Sequence, residues 1–214
     1  MTARPTHTQT DQLRDHWWWR PGWRVGRQFY TWHLTFNGQR GFHALVDAWQ
    51  QALRPLPGLD LVPHQWLHLT MQGVGFTDEI PEPEVRAILD AARTRLAALP
   101  APDLTFHRPT IYAEAIPLTP NPAGPVHAIR GAIRDGIADV WGPDRVPEPP
   151  DGFRAHVSMA YSNTAAPTAP VAAALDQVDA DPVIVTIRET SLIVLNRDHR
   201  MYEWQNYATA PLRV

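Results

Sequence analysis

Two tetrapeptides in this chain carry the same chemistry: His68-Leu69-Thr70-Met71 and His156-Val157-Ser158-Met159. Each sets an imidazole two residues before a hydroxyl. In an extended strand, residues i and i+2 project to one face. Each His therefore has a hydroxyl beside it, while Leu69 or Val157 turns the other way into a core. Two such strands facing one another would gather two imidazoles and two hydroxyls around one cavity. Imidazole titrates near neutrality, so one ring accepts a proton while its twin donates one. The hydroxyls suit the non-bridging oxygens of a phosphate and would fix an in-line geometry between the rings. Neither metal, thiol nor amine is needed.

A third triplet, His33-Leu34-Thr35, lies 35 residues before the first pair. The same interval before His156 reaches Asn121, so His33 has no twin and reads as a structural or cleft-lining residue. Tyr30, Phe76 and Tyr161 are candidates to line the cleft or stack on a base, with ordinary core packing as the competing reading. His64 and His68 are four apart, a spacing that holds a metal on a helix. Pro63 and the alternating run that follows argue for a strand, so no metal site is expected. Gly73-Val74-Gly75 lacks the third glycine of a dinucleotide loop and reads as a strand-end turn. His107, His127 and His199 have no matching context.

The elements that must position these residues follow from periodicity. Gln28 to Phe36 is an aromatic, β-branched run closed by Asn37-Gly38. Phe42, Leu45, Val46, Trp49 and Leu53 form one helical stripe, broken by Pro55 and Pro57. A strand over Trp66 to Gly73 leads to a helix carrying Val85, Ile88, Leu89, Ala92 and Leu96. Short strands are expected near 103–108 and 110–116. A long helix follows (Val126, Ile129, Ile133, Ile137, Val140), then a Pro-rich loop at 147–150 and a strand from Phe153 to Tyr161. An Ala-rich helix near 169–177 precedes strands near 183–187, 190–195 and 201–207, the last two joined around Asn196-Arg197-Asp198. The two tetrapeptides occupy matching places in a repeated layout. The expected fold is α+β, with two pseudo-symmetric lobes of antiparallel-rich sheet and outer helices around a central cleft.

Composition removes several alternatives. The 214 residues include no Cys, so disulfides, thiol nucleophiles and thiolate metal sites are excluded. All 19 basic residues are Arg. Without Lys there is no Walker-type loop, no Schiff base and no lysyl-adenylate. Serine stands only at 158, 162 and 191, never in a G-x-S-x-G elbow. Net charge is −3, yet residues 1–40 hold six Arg against two Asp, so any anion-binding surface is local. Residues 1–27 read as an Arg/Trp-rich arm preceding a domain over 28–214. Five of nine Trp lie between 17 and 32, interleaved with Arg20, Arg24 and Arg27. They read first as a cover over an exposed face, with a base-stacking platform or a partner contact as alternatives. No apolar run suits a membrane span and the start lacks signal-peptide layout, so a cytoplasmic monomer is expected, the arm being the one candidate contact.

The paired H-x-[ST]-x tetrapeptides, 88 residues apart, resemble those of the 2H phosphoesterase superfamily, and the chain is most similar to its bacterial 2'-5' RNA ligase or RNA cyclic phosphodiesterase group. The resemblance extends over roughly 28–212, including Leu192-Ile193-Val194-Leu195, Tyr202 and Ala210-Pro211-Leu212. The long arm and the bulky strand Tyr30-Thr31-Trp32-His33 depart from the family pattern. The resemblance implies His68 and His156 as the catalytic pair and Thr70 and Ser158 as phosphate-binding residues. It also implies hydrolysis of 2',3'-cyclic phosphate ends of RNA or nucleotides to 2'-phosphates, without a cofactor. Base and acid are not divided by the sequence, although His156 is inclined towards base and His68 towards acid. Three rival readings stay open: 2'-5' ligation, or cleavage of 2'-5' linkages or of a cyclic ADP-ribose phosphate, within the same superfamily; a non-catalytic module that binds RNA ends or nucleotides; and an interaction subunit formed through the arm.

Overall fold

A computed structural model describes residues 7–214. Arg4, counted above in the arm's charge, lies outside the described residues, as does the rest of 1–6. The body is α+β, built of antiparallel sheets and four helices. One sheet has four strands in the order β13 (Glu203–Pro211), β12 (Glu189–Asn196), β3 (Phe29–Thr35) and β5 (His68–Phe76). A second has three, β4 (Leu59–Leu61), β9 (Val157–Ser162) and β8 (Ala115–Leu118). Every pairing in both is antiparallel. A separate ribbon joins β6 (Asp103–Phe106) to β11 (Val183–Thr186).

The helices divide between the two sheets. Helices α2 (Glu82–Leu96) and α3 (Gly124–Trp141) pack on each other, α2 touching β13 and α3 touching β5. Helix α1 (Arg40–Leu53) packs against α4 (Ala169–Leu175), β9 and β11. The lobes are thus not the two halves of the sequence. The four-stranded sheet takes β3 and β5 from the first half and β12 and β13 from the second, while β4 crosses to the other sheet. This exchange sets the edge strand β5 against β9, the two strands that carry the paired tetrapeptides.

Local chemistry explains the boundaries. The stripe Phe42, Leu45, Val46, Trp49 and Leu53 is buried throughout, and Pro55 stops the helix because it has no N–H to donate. Helix α2 starts on Pro81 and Pro83, with Glu82 and Glu84 in its first turn and Arg93 and Arg95 in its last, both matched to the helix dipole. Helix α3 ends at Gly142, whose φ of 86° only glycine adopts freely. Buried Gln50 fastens α1 to the second sheet, its Nε2 donating to the carbonyls of Val62 and Met159 at 2.8 Å each. The expected strand end at Gly73 is corrected: β5 runs on to Phe76, and Gly73 pairs with Thr31 within the sheet.

The described part of the arm lies along the body. β1 (His7–Thr8) pairs in parallel with β7 (Thr110–Ile111), and β2 (Gln12–Leu13) pairs antiparallel with β10 (Ala166–Pro167). The His16 N–H donates to the Ser162 carbonyl at 2.8 Å. Trp17 is buried, and its indole N–H donates to Asp60 at 2.7 Å, whereas Trp18 and Trp19 stay half exposed.

Helices α2 and α3 meet closely at Gly136, where an added Cβ would stand 2.7 Å from the Ala92 backbone. Such overpacking costs about 1–3 kcal/mol. Gly136→Ala is therefore expected to lower the urea midpoint by a corresponding amount, and an unchanged midpoint would contradict the contact.

Candidate active site

Between the two sheets lies a cavity of about 520 Å³, with His68, Thr70, His156 and Ser158 all in its wall. The strand geometry produces this directly. Leu69, Met71, Val157 and Met159 are buried in the core, so their neighbours turn to the cavity. Both imidazoles are held the same way. Nδ1 of His68 donates to the carbonyl of Trp66 at 2.8 Å, and Nδ1 of His156 donates to the carbonyl of Arg154 at 2.7 Å. A carbonyl only accepts, so the hydrogen sits on each Nδ1 and each Nε2 is left for a ligand.

Burial governs the charge state. It pulls His68 down to about 4, against the opposing effect of the Trp66 carbonyl, and the nearby His156 adds to the depression. His156 is also lowered by burial, with the Arg154 carbonyl opposing. The resting site therefore favours two neutral imidazoles.

His33 lies against the first of them. Its ring stacks on His68 with centroids 4.3 Å apart and planes 8° apart, and its Nε2 is 3.4 Å from the Thr70 hydroxyl. Buried more deeply still, it is held well below its ordinary pKa, first by burial and then by His68. Tyr161 also lines the cavity, within reach of the Ser158 hydroxyl, and burial pushes its phenol up. Tyr30 and Phe76 lie outside that wall. Tyr30 packs edge-on to Tyr207; Phe76 lies under the Arg27 guanidinium, 3.5 Å from its ring centre, against Trp23 and Phe29.

Several wall residues carry no motif of their own. The arm contributes His16, Arg20 and Trp23. The His16 ring stacks on Tyr161 at 4.3 Å, and its Nε2 pairs with the Tyr202 hydroxyl at 2.9 Å. Burial, helped by Arg20 and Arg197, lowers His16 to about 3. Tyr112 comes edge-on to His156 at 5.8 Å. Glu148 arrives on the Pro-rich loop, which is pinned from α3. Arg134 donates to the carbonyls of Pro147 and Glu148, and Arg130 to those of Pro149 and Pro150. The Gly73 N–H donates to the Glu148 carboxylate at 3.3 Å, and a Cβ there would also come within 3.0 Å of the Phe29 ring. The one sequence signal for the arm's part is the interleaving of Arg with Trp; His16 just before that run gives none.

The remaining histidines stand elsewhere. His64 sits in a single 3-10 turn, bonded to Asp47 at 2.7 Å and stacked on His43. His107 meets the Ala180 carbonyl, His127 the edge of Phe153, and His199 Glu203. Among the described residues no three His, Asp or Glu side chains come together as a metal site, and no helix is long and apolar enough to cross a membrane.

A family model described as the 2'-5' RNA ligase superfamily matches residues 42–199. Among solved structures, TT0787 of Thermus thermophilus is similar at 24% identity, over 87% of this chain and 98% of that one, with a TM-score of 0.62. E. coli LigT in its apo form is similar at 13% identity over 88% and 99%, with a TM-score of 0.64. LigT has also been solved with phosphate, 3'-AMP, ATP and NADP+. At these identities the likeness is one of fold. No curated protein sequence matches.

Proton NMR titration checks the burial argument. His16 and His68, lowered to about 3 and about 4, are expected to show no chemical-shift titration between pH 5.5 and 8. His199, raised by Glu203, should titrate above the ordinary imidazole value. A His68 midpoint near 6.5 would contradict the geometry.

Proposed function

The chain belongs to the 2'-5' RNA ligase superfamily, and on that footing we propose that it hydrolyses 2',3'-cyclic phosphate ends of RNA or of nucleotides to 2'-phosphates. The observation that carries this reading is the matched pair of imidazoles. Each is tied by Nδ1 to a carbonyl two residues earlier, each keeps Nε2 free, and each has a hydroxyl two residues later in the same cavity wall. The nucleotide and phosphate ligands of LigT, a structural neighbour, support the same class of substrate.

In this mechanism the Thr70 and Ser158 hydroxyls donate to the non-bridging oxygens of the cyclic phosphate. One neutral imidazole takes a proton at Nε2 from a water whose oxygen attacks phosphorus. The P–O3' bond breaks, and the opposite imidazole delivers the proton on its Nε2 to O3', leaving a 2'-phosphate and a free 3'-hydroxyl. The anionic phosphodiester raises the imidazole beside it, which supplies the charged form that burial alone disfavours. His33, stacked on His68 and kept neutral, adds packing without a second positive charge. Every proton-transfer step runs through side chains of this chain. The protein acts as a monomer in the cytoplasm, and no metal takes part.

Turnover of the four nucleoside 2',3'-cyclic monophosphates in EDTA tests the proposal. Wild type is expected to release 2'-phosphates, and His68→Ala and His156→Ala are each expected to lose at least ~100-fold in kcat. Activity abolished by EDTA, or surviving both substitutions, would overturn it. Ligation or cleavage of 2'-5' linkages without cyclic phosphate hydrolysis would instead favour the ligase reading. Binding without turnover, retained in His156→Ala, would favour a binding module.

The pH profile is a separate check. Because kcat/KM reports the free enzyme and both imidazoles are lowered, its optimum is expected below pH 6.5. An optimum above 7.5 would contradict this.

A further inference from the structure

One end of the cavity holds a cation that the chemistry above does not use. Arg197, in the turn between β12 and β13, is only 4% exposed, yet it is one of the residues that line the cavity. Three aromatic rings surround it, with the guanidinium carbon 5.7 Å from Trp17, 5.7 Å from Tyr202 and 6.0 Å from Trp23. Its Nη2 donates to the carbonyls of His16 and Trp18, at 3.3 and 3.2 Å. Its Nη1 has no hydrogen-bond partner among the described residues.

Most buried arginines find a carboxylate, because an unpaired charge out of water is expensive. The nearest acidic group in this wall, Glu114, is already engaged. It accepts from Arg20 Nη2 at 3.0 Å and from the Trp18 indole at 3.3 Å. Among the described residues no carboxylate oxygen comes within ion-pair distance of Arg197. Arg20 stands in the same wall, over the ring of Trp18. Of the two guanidinium groups in this wall, Arg20 is the one with a carboxylate partner among the described residues.

A single side chain touches both Arg197 and the proposed reacting centre. The Tyr202 ring lies 5.8 Å from that of His68 and 5.7 Å from the Arg197 guanidinium carbon. His68 and Arg197 are thus neighbours of one phenol ring. A phosphate held by Thr70 and Ser158 would have Arg197 within about a nucleotide's reach.

We propose that Arg197, assisted by Arg20, binds a second phosphate of the substrate, so that the preferred substrate carries a phosphate one nucleotide step from the cyclic phosphate. The proposal rests on the reaction read above and narrows its substrate. That phosphate has two sources, a 5'-phosphate on the same nucleoside or the internucleotide phosphate of an RNA end. The surrounding rings of Trp17, Trp23 and Tyr202 fix the guanidinium in place, so little conformational freedom is lost when an oxyanion arrives.

Three substrates separate the possibilities: adenosine 2',3'-cyclic phosphate, the same compound with a 5'-phosphate, and a dinucleotide ending in a cyclic phosphate. Wild type is expected to favour one or both of the latter by about 10-fold or more in kcat/KM, as a charge-assisted contact gives. The favoured compound identifies the source. In Arg197→Gln that ratio should fall to near 1. Arg197→Lys should keep part of it, and Arg20→Gln should lower it with Arg197 intact. A wild-type ratio near 1, or a ratio that persists in Arg197→Gln, overturns the proposal.

Should none of the three be hydrolysed, the reaction reading fails and the subsite is judged by calorimetry. Adenosine 5'-monophosphate should bind more tightly than adenosine, an advantage that Arg197→Gln removes. Equal binding of the two, or an advantage retained in Arg197→Gln, overturns the subsite.

Discussion

The site depends on a short hydrogen bond that each imidazole makes backwards along its own chain. Tying Nδ1 to the carbonyl two residues earlier does two things at once. It fixes the ring's orientation, and it decides which nitrogen carries the hydrogen, so both Nε2 atoms meet the cavity in the same chemical state. The bond exists only if the carbonyls of Trp66 and Arg154 are themselves held. The first belongs to the 3-10 turn ahead of β5, where Trp66 packs edge-on to Trp204 of β13. The second follows the Pro-rich loop that Arg130 grips from α3. The tautomer of each ring is thereby traced to a 3-10 turn under an indole and to a loop held from α3.

Low dielectric is the second constraint. Four imidazoles border one cavity: His16, His33, His68 and His156. All four are pulled below the ordinary value by burial. A cluster of four that charged together would repel itself strongly; buried neutral, it packs as stacked rings instead. The arginines Arg20 and Arg197 bring positive charge from fixed positions in the same wall. The division of labour is physical. In the proposed reaction the histidines move protons when a substrate brings charge, and the guanidinium groups supply a fixed positive field.

Much of this was legible in the sequence, for identifiable reasons. The paired tetrapeptides declare themselves because alternation in a strand is strict, so His68 with Thr70 and His156 with Ser158 must share a face. The stripes from Phe42 to Leu53 and from Val85 to Leu96 mark helices because each buries one side only. The exchange of strands between lobes was not legible. Nothing in β4, three residues long, or in β12 says which sheet it will join, since pairing is decided by distant partners. Gly73 read as punctuation, although it lies within β5 and its N–H donates to Glu148, 75 positions away. Arg197 read as part of a turn; only folding gives it three aromatic neighbours and no carboxylate.

The exchange of strands also bears on when the protein can begin to work during its own synthesis. β12 lies between β13 and β3, so β3 keeps one edge open until residues 189–196 have emerged. His16 meets its hydrogen-bonding partner only at Tyr202, 186 positions later. Contacts of such separation form late and keep the chain dependent on its most distant segments. A ribosome-bound fragment that already contains both tetrapeptides therefore still lacks an inner strand of one sheet and a wall of the cavity. The cavity is therefore complete only once residues 189–202 are in place, and a chain cut before them is left with an open edge on β3.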